Sequence, residues 1–156
     1  MITRILVAVD DSPAGLAAAN LAMGLATICR ADVRALTVLM DGVIDQTLAG
    51  IGGGLESADA LRARRGGGQT ALLRHVVDLG RGQGVIPETV ALLGEPARCI
   101  LDEARAYQPD LIVIGRSSRR QAGQPYVGSE VRHVLEFAEL PVLVVPADPA
   151  SLRQPG

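Results

Sequence analysis

The sequence contains no lysine; all 15 of its basic residues are arginine. That excludes a phosphate-binding loop of the GxxxxGK[ST] type, whose lysine reaches the phosphates. It also excludes Schiff-base and pyridoxal-phosphate chemistry, which need an amine. Tryptophan is absent and only Tyr107, Tyr126 and Phe137 are aromatic, too few for a base-stacking platform. With 17 acidic residues the formal net charge is −2, so no global positive field exists and nucleic acid is excluded as a partner. No stretch approaches the ~18 apolar residues of a membrane span, so no membrane partner is expected. The N-terminal apolar run, Ile5 to Val9, is too short for a signal-peptide core, and a cytoplasmic protein is expected. Cys29 and Cys99 lie 70 positions apart without a CxxC. They read as two buried thiols in a reducing compartment, with a disulfide or redox pair as the alternative. His75 and His133 have no partner at metal-ligand spacing, so both read as structural.

What is present is an ordinary globular composition. The chain has 156 residues, 48% hydrophobic and 21% charged, enough for one domain with a core of its own. That domain is expected over residues 1–147, with 148–156 a disordered tail. Ile5 to Val9 is a continuous apolar run, the pattern of a strand buried on both faces, and it stops at Asp10-Asp11. Ser12-Pro13 is a helix start, and a helix is predicted from Ala14 to Arg30 with Leu21, Leu25 and Ile28 as its apolar repeat. Further strands are predicted over Val33 to Met40, Pro87 to Leu93, Leu111 to Ile114 and Val142 to Val145. Glu56 to Arg65 and Gln69 to Gly80 read as helical. Eleven of the 18 glycines fall between Gly42 and Gly84. Gly66-Gly67-Gly68 is expected to break or fray the helix, at ~1 kcal/mol per interior glycine. Gly50 to Gly54 is expected to be a mobile loop. It lacks the third glycine of GxGxxG and follows the second strand, so it is no dinucleotide site. A helix after Pro96 carries Ile100, Ala104 and Tyr107 on one face. A last helix opens at Gly128-Ser129 with Val131, Val134, Leu135 and Ala138 inward. Asp102 and Glu103 point in different directions and read as solvated charges, not an acid/base pair.

Short apolar strands alternating with helices predict an α/β fold: an open five-stranded parallel sheet with helices on both faces. Such sheets bind ligands beyond the carboxyl ends of their strands, where strand order reverses. At those ends the strongest feature runs from Gly115 to Ser129. Gly115 closes a buried strand and permits close approach of a ligand. Gly128-Ser129 opens a helix, whose free N–H groups and about half a positive charge suit phosphate. Ser129 offers a hydroxyl, and Arg116, Arg119 and Arg120 add positive charge. The same residues also fit a surface loop with a helix cap and solvated arginines, and spacing alone does not choose. Asp10 fits a ribose or adenine contact and a helix cap equally well. Asp10-Asp11 resembles the acidic pair of phosphoacceptor receivers. Those also need an aspartate ending the third strand and a lysine ending the fifth, and neither is present. No nucleophile–base pair stands out, so the residues read as those of a binder rather than an enzyme.

Three segments carry a resemblance. ILVAVDDSPAGLAAANLAMGLA, GEPARCILDEARAYQPDLIVIG and VGSEVRHVLEFAELPVLVVP resemble the first strand and helix, third helix and fourth strand, and final helix and strand of universal stress proteins. Together they span nearly the whole chain. The nucleotide-binding branch of that family carries G-x2-G-x9-G-[S/T]. Here Gly115 takes the first position, Ser118 stands where the second glycine would, and Gly128-Ser129 closes the pattern with spacing kept. The resemblance implies a Rossmann-type fold like that of the adenine nucleotide alpha hydrolases. It implies ATP or another adenine nucleotide as ligand, with Mg²⁺ between its phosphates and a carboxylate. It carries over Asp10, Val38, Gly115, Ser118, Gly128, Ser129 and Glu130 as contacts, Glu130 through its amide. It implies a nucleotide switch in stress response, with a nucleotide-free interaction module of the same fold as the alternative. It also implies a homodimer through Val142 to Val145, which a monomer would leave as a bare apolar edge.

Overall fold

The central strand explains its own sequence. In β1 (Arg4–Ala8), Ile5, Leu6 and Val7 are wholly buried because the strand is covered on both faces. Ile5 and Val7 join one core cluster and Leu6 the other. A computed structural model of the chain describes residues 1–40, 58–116 and 127–147. In chain order it contains β1, α1 (Pro13–Cys29), β2 (Asp32–Leu39), α2 (Ala58–Gly82), β3 (Glu88–Leu93), α3 (Pro96–Tyr107), β4 (Leu111–Gly115), α4 (Ser129–Phe137) and β5 (Val142–Val145). All strand pairs are parallel and the sheet order is β3-β2-β1-β4-β5. Helices α1 and α2 pack on one face, α3 and α4 on the other. The predicted five-stranded α/β sheet is therefore the one observed. The tail 148–156 and the Gly50 to Gly54 segment lie outside the described residues.

Helix α1 starts where expected, with the Ser12 hydroxyl accepting from the Gly15 N–H at 3.0 Å and Pro13 in the first turn. Its buried face is only in part the predicted one, since Leu25 packs against the core but the other two residues of the repeat do not. Ala14, Gly15, Ala18, Ala19, Ala22, Met23 and Ala26 face the sheet, whereas Leu21 is exposed and Ile28 is 80% exposed. Small side chains let the helix axis lie close over β1 and β4, a geometry that a leucine face would hold apart. The last helix shows the same kind of difference. Val131 and Val134 are buried and Ala138 packs on the core, but Leu135 is 47% exposed.

The glycine triplet does not break α2. One helix runs from Ala58 to Gly82, and nothing lies within 4 Å of where side chains at Gly66, Gly67 and Gly68 would sit. The propensity cost is offset by docking of Leu72, Val76 and Leu79 on the core. Glu103 is no free charge either. It accepts from Arg34 Nη1 at 2.6 Å, while Arg34 Nε and Nη2 reach Glu88 at 3.0 and 2.8 Å. The Arg34 guanidinium lies 4.1 Å from the centre of the Tyr107 ring, so one cation ties β2, β3 and α3 together. Asp102 pairs with Arg105 at 3.0 Å on its own helix.

Both cysteines are free and only half-buried, so the expectation of two buried thiols is corrected. No disulfide joins them, since Cys29 ends α1 on one face of the sheet and Cys99 lies in α3 on the other. Desolvation, with Glu95 and Asp102 nearby, pushes the Cys99 thiol up, which disfavours its thiolate. His75 is exposed, and the His133 ring stacks against Phe137 with centroids 4.8 Å apart. No helix among the described residues is long and apolar enough to cross a membrane.

Candidate functional site

Strand order reverses between β1 and β4. The helix after β1 lies on one face and the helix after β4 on the other, so a crevice opens beyond their carboxyl ends. A cleft of about 470 Å³ occupies that place. Asp10, Val38, Gly115, Gly128, Ser129 and Glu130 all line it, although they come from four different stretches of chain. Ser118 lies outside the described residues, as do Arg119 and Arg120. Arg116 lines the cleft at the end of β4.

The floor is built from β1. Val9 is buried, and its N–H donates to Leu36 O at 2.8 Å. The chain then turns at Asp10, whose Oδ1 accepts from the Ser12 N–H at 3.0 Å and from the Ser12 hydroxyl. Ser12 in turn caps α1 through Gly15. Asp10 thus serves the cap through Ser12 and still lines the cleft, so the two readings of this residue coexist. Gly15 must lack a side chain, because a Cβ there would stand 2.1 Å from Asp10 Oδ1.

Gly115 has a reason the sequence did not disclose. A Cβ on it would lie 2.6 Å from Ala14 C and 2.7 Å from both Ala14 O and Gly15 N. Its first task is to let β4 end directly against the start of α1. Close approach of a ligand is at most a second one.

At the opposite wall, α4 begins with Gly128 as its N-cap, at φ −60° and ψ 158°, with no side-chain cap. By contrast α1 is capped by Ser12, and α3 by Glu95, which accepts from the Ala97 and Arg98 N–H groups at 3.1 and 2.8 Å. The first helical bond of α4 runs from the Arg132 N–H to Gly128 O at 3.0 Å. The N–H groups of Ser129, Glu130 and Val131 therefore start the helix with no side chain across them, and all three residues line the cleft. Glu130 is exposed at the rim. Desolvation, followed by the charges of Asp10 and Glu95, raises its carboxyl above the ordinary range.

Sequence reasoning missed the apolar walls. Leu36 and Met40 join Val38 on the side of β2, and Pro96 and Ile100 come from the start of α3. The available signal was position, since each lies near the carboxyl end of a strand or the opening of the helix that follows. The sequence could not say which helix starts would converge. Among the described residues no group of three His, Cys, Asp or Glu side chains is placed to hold a metal. The cleft thus joins apolar walls, suited to a flat ring, to a row of open N–H donors, suited to an anion.

A model of the universal stress protein family matches residues 1–146. The chain belongs to the universal stress protein family. It is 29% identical over 147 residues to the universal stress protein YxiE of Bacillus subtilis (strain 168), covering 93% of this chain and 99% of that protein. The structure of the universal stress protein UspA from Lactobacillus plantarum superposes with a TM-score of 0.72 at 27% identity, covering 92% of this chain and 97% of that one. A universal stress protein from Archaeoglobus fulgidus, solved in complex with dAMP, superposes with a TM-score of 0.62 at 24% identity over 93% and 99% of the two chains. The resemblance read from the three sequence segments thus holds over nearly the full chain, and the stress-protein fold is shared with these structures.

Proposed function

We propose that this stress protein binds an adenine nucleotide in the cleft at the β1/β4 switch point. The observation that carries the reading is the uncapped start of α4 facing an apolar slot, the two halves of a nucleotide site in one cavity. The base would lie between the Val38 side of β2 and the start of α3. The phosphate end would meet the N–H groups of Ser129, Glu130 and Val131 and the Ser129 hydroxyl, with Asp10 toward the sugar. Gly115 and Gly128 keep backbone rather than side chain at the phosphate end. The dAMP complex of the Archaeoglobus relative supports the choice of adenine. ATP, with or without Mg²⁺, is one ligand of that class. The cell-level role is a switch in stress response, in the cytoplasm. The test is a calorimetric titration of the nucleotide-stripped protein with adenosine, AMP and ATP. Saturable binding in the micromolar range supports the reading. No heat and no thermal stabilisation at millimolar ligand overturn it and leave a nucleotide-free interaction module, which the carboxylates at the rim would favour.

We also propose a homodimer through the edge of β5. Ile112 donates to Pro141 O at 3.0 Å and Arg116 to Val145 O at 2.7 Å. In a parallel ladder this places the N–H and C=O of Val142 and Val144 on the free edge. Val144→Pro removes an outward donor and no bond to β4. It is expected to yield a monomer by light scattering with nearly unchanged thermal stability. A Val144→Pro dimer would place the interface elsewhere.

A further inference from the structure

The rim around the start of α4 is acidic, and its carboxylates come from three elements. Asp10 follows β1 and Glu130 occupies the first turn of α4 beside the open N–H groups, both lining the cleft, and Glu95 caps α3 with its charge felt at Glu130. We infer that Glu130 is a specificity-determining residue of the cleft, which selects among adenine ligands by the negative charge they bring to α4 and favours a nucleoside or a singly charged cyclic monophosphate over a triphosphate. The inference rests on the nucleotide reading of the cleft.

The physical basis is a comparison of charges at one spot. A helix N-terminus presents roughly half a positive charge. A carboxylate in its first turn carries a full negative one, about 6 Å from any anion held on the same N–H groups. The charged groups on the described elements around Glu130 are Asp10, Glu95 and Arg98 on α3, Arg116 after β4, and Arg132 and His133 on α4. Arg98 leans to Asp102 at 4.0 Å, and no ion pair among the described residues reaches Glu130. Among the described residues that line the cleft, Arg116 is the one cation and Asp10 and Glu130 are the carboxylates. The Glu130 charge therefore adds a repulsion for each phosphate charge, while an uncharged ligand meets none. The partial desolvation and neighbouring charges that raise the Glu130 carboxyl give the repulsion a direction in pH. Above the raised value Glu130 is charged and repels. As pH falls through that value it takes up a proton, and affinity for a charged ligand rises.

The experiment titrates adenosine, 3′,5′-cyclic AMP, AMP and ATP into the full-length protein and its Glu130→Gln variant, in EDTA at low salt, with thermal melts to show that both fold. Adenosine is expected to bind the two within twofold. Glu130 is exposed, so water screens its charge more strongly than one at the N-cap, and Glu130→Gln is expected to gain roughly fivefold in affinity for each phosphate charge near it, and so most for ATP. Cyclic AMP keeps one charge across the range. It is expected to bind the wild type more tightly as pH falls through the raised Glu130 value than at pH 8. Any slope left in Glu130→Gln must be smaller. A merely structural role for Glu130 would move adenosine with the rest. If adenosine binds both proteins and the ratios between ligands are equal in the two, the charge selection is overturned and the cleft reading stands. If no ligand binds either protein, both fall.

Discussion

Gly128→Asp is expected to abolish binding of adenine nucleotides while leaving the fold intact. Gly128 is the N-cap of α4 with φ −60° and ψ 158°, a backbone conformation open to any residue. Aspartate is among the best N-caps, and its carboxylate would accept from the N–H groups that now open on the cleft. The substitution therefore removes donors from a phosphate and adds a negative charge beside it. A competing cap is worth about 1 kcal/mol. A unit charge at about 6 Å adds about 2–3 kcal/mol of repulsion at an effective dielectric of ~20. Together they predict a loss of 100-fold or more in affinity for AMP, by ~1.4 kcal/mol per tenfold. The melting temperature should stay the same or rise slightly, because glycine is the weaker cap. Calorimetry and a thermal melt on the same sample decide the matter. Unchanged affinity in a folded variant would remove α4 from the binding site.

Gly115→Ala is expected to be strongly destabilising. The added carbon would stand 2.6–2.7 Å from three backbone atoms of Ala14 and Gly15. Backbone cannot rotate away as a long side chain can, so α1 or the end of β4 must move. Ala14 and Gly15 are themselves buried, and α1 packs tightly along β1 and β4. Forced shifts of this kind cost about 3 kcal/mol or a little more. For a chain of this size that lowers the melting temperature by roughly 6–12 °C. The shift would also carry the Asp10–Ser12–Gly15 turn with it, so ligand affinity should fall alongside stability. A variant that melts within 2 °C of the wild type would show that the strand–helix junction has slack the packing does not reveal.

These two glycines mark how far the candidate site was legible. Both stand out by their place at a strand end and a helix start and by the family motif they fit, and both line the cleft. The reason for one was not legible. Gly115 reads in sequence as a glycine before a phosphate loop, and in three dimensions it is a glycine beneath a helix. Asp10 was divided between cap and ligand because sequence distance cannot say whether a carboxylate reaches back to its own turn or outward. The structure has it do the first through Ser12 while it still lines the cleft. Met40, Pro96 and Ile100 were missed because each looks like ordinary core or turn until the strand ends are gathered together.

By itself the sequence determined the order of elements, the parallel character of the sheet and the family. Runs such as Ile5 to Val9 and Leu111 to Ile114 have one stable use, as strands covered on both faces, and the helix-start residues Ser12-Pro13 and Glu95-Pro96 act within a single turn. Only the tertiary structure decided what depends on distance between elements. It chose the alanine face of α1 over its leucine face, because close packing on β1 and β4 rewards small side chains. It carried α2 through three glycines, because Leu72, Val76 and Leu79 anchor the helix beyond them. It turned Glu103 from a surface charge into the partner of Arg34, and it set Asp10 and Glu130 on one cleft with the charge of Glu95 nearby. Local rules settle what a segment becomes. Which face it buries, and which charges must share a site, are settled by the neighbours that folding brings.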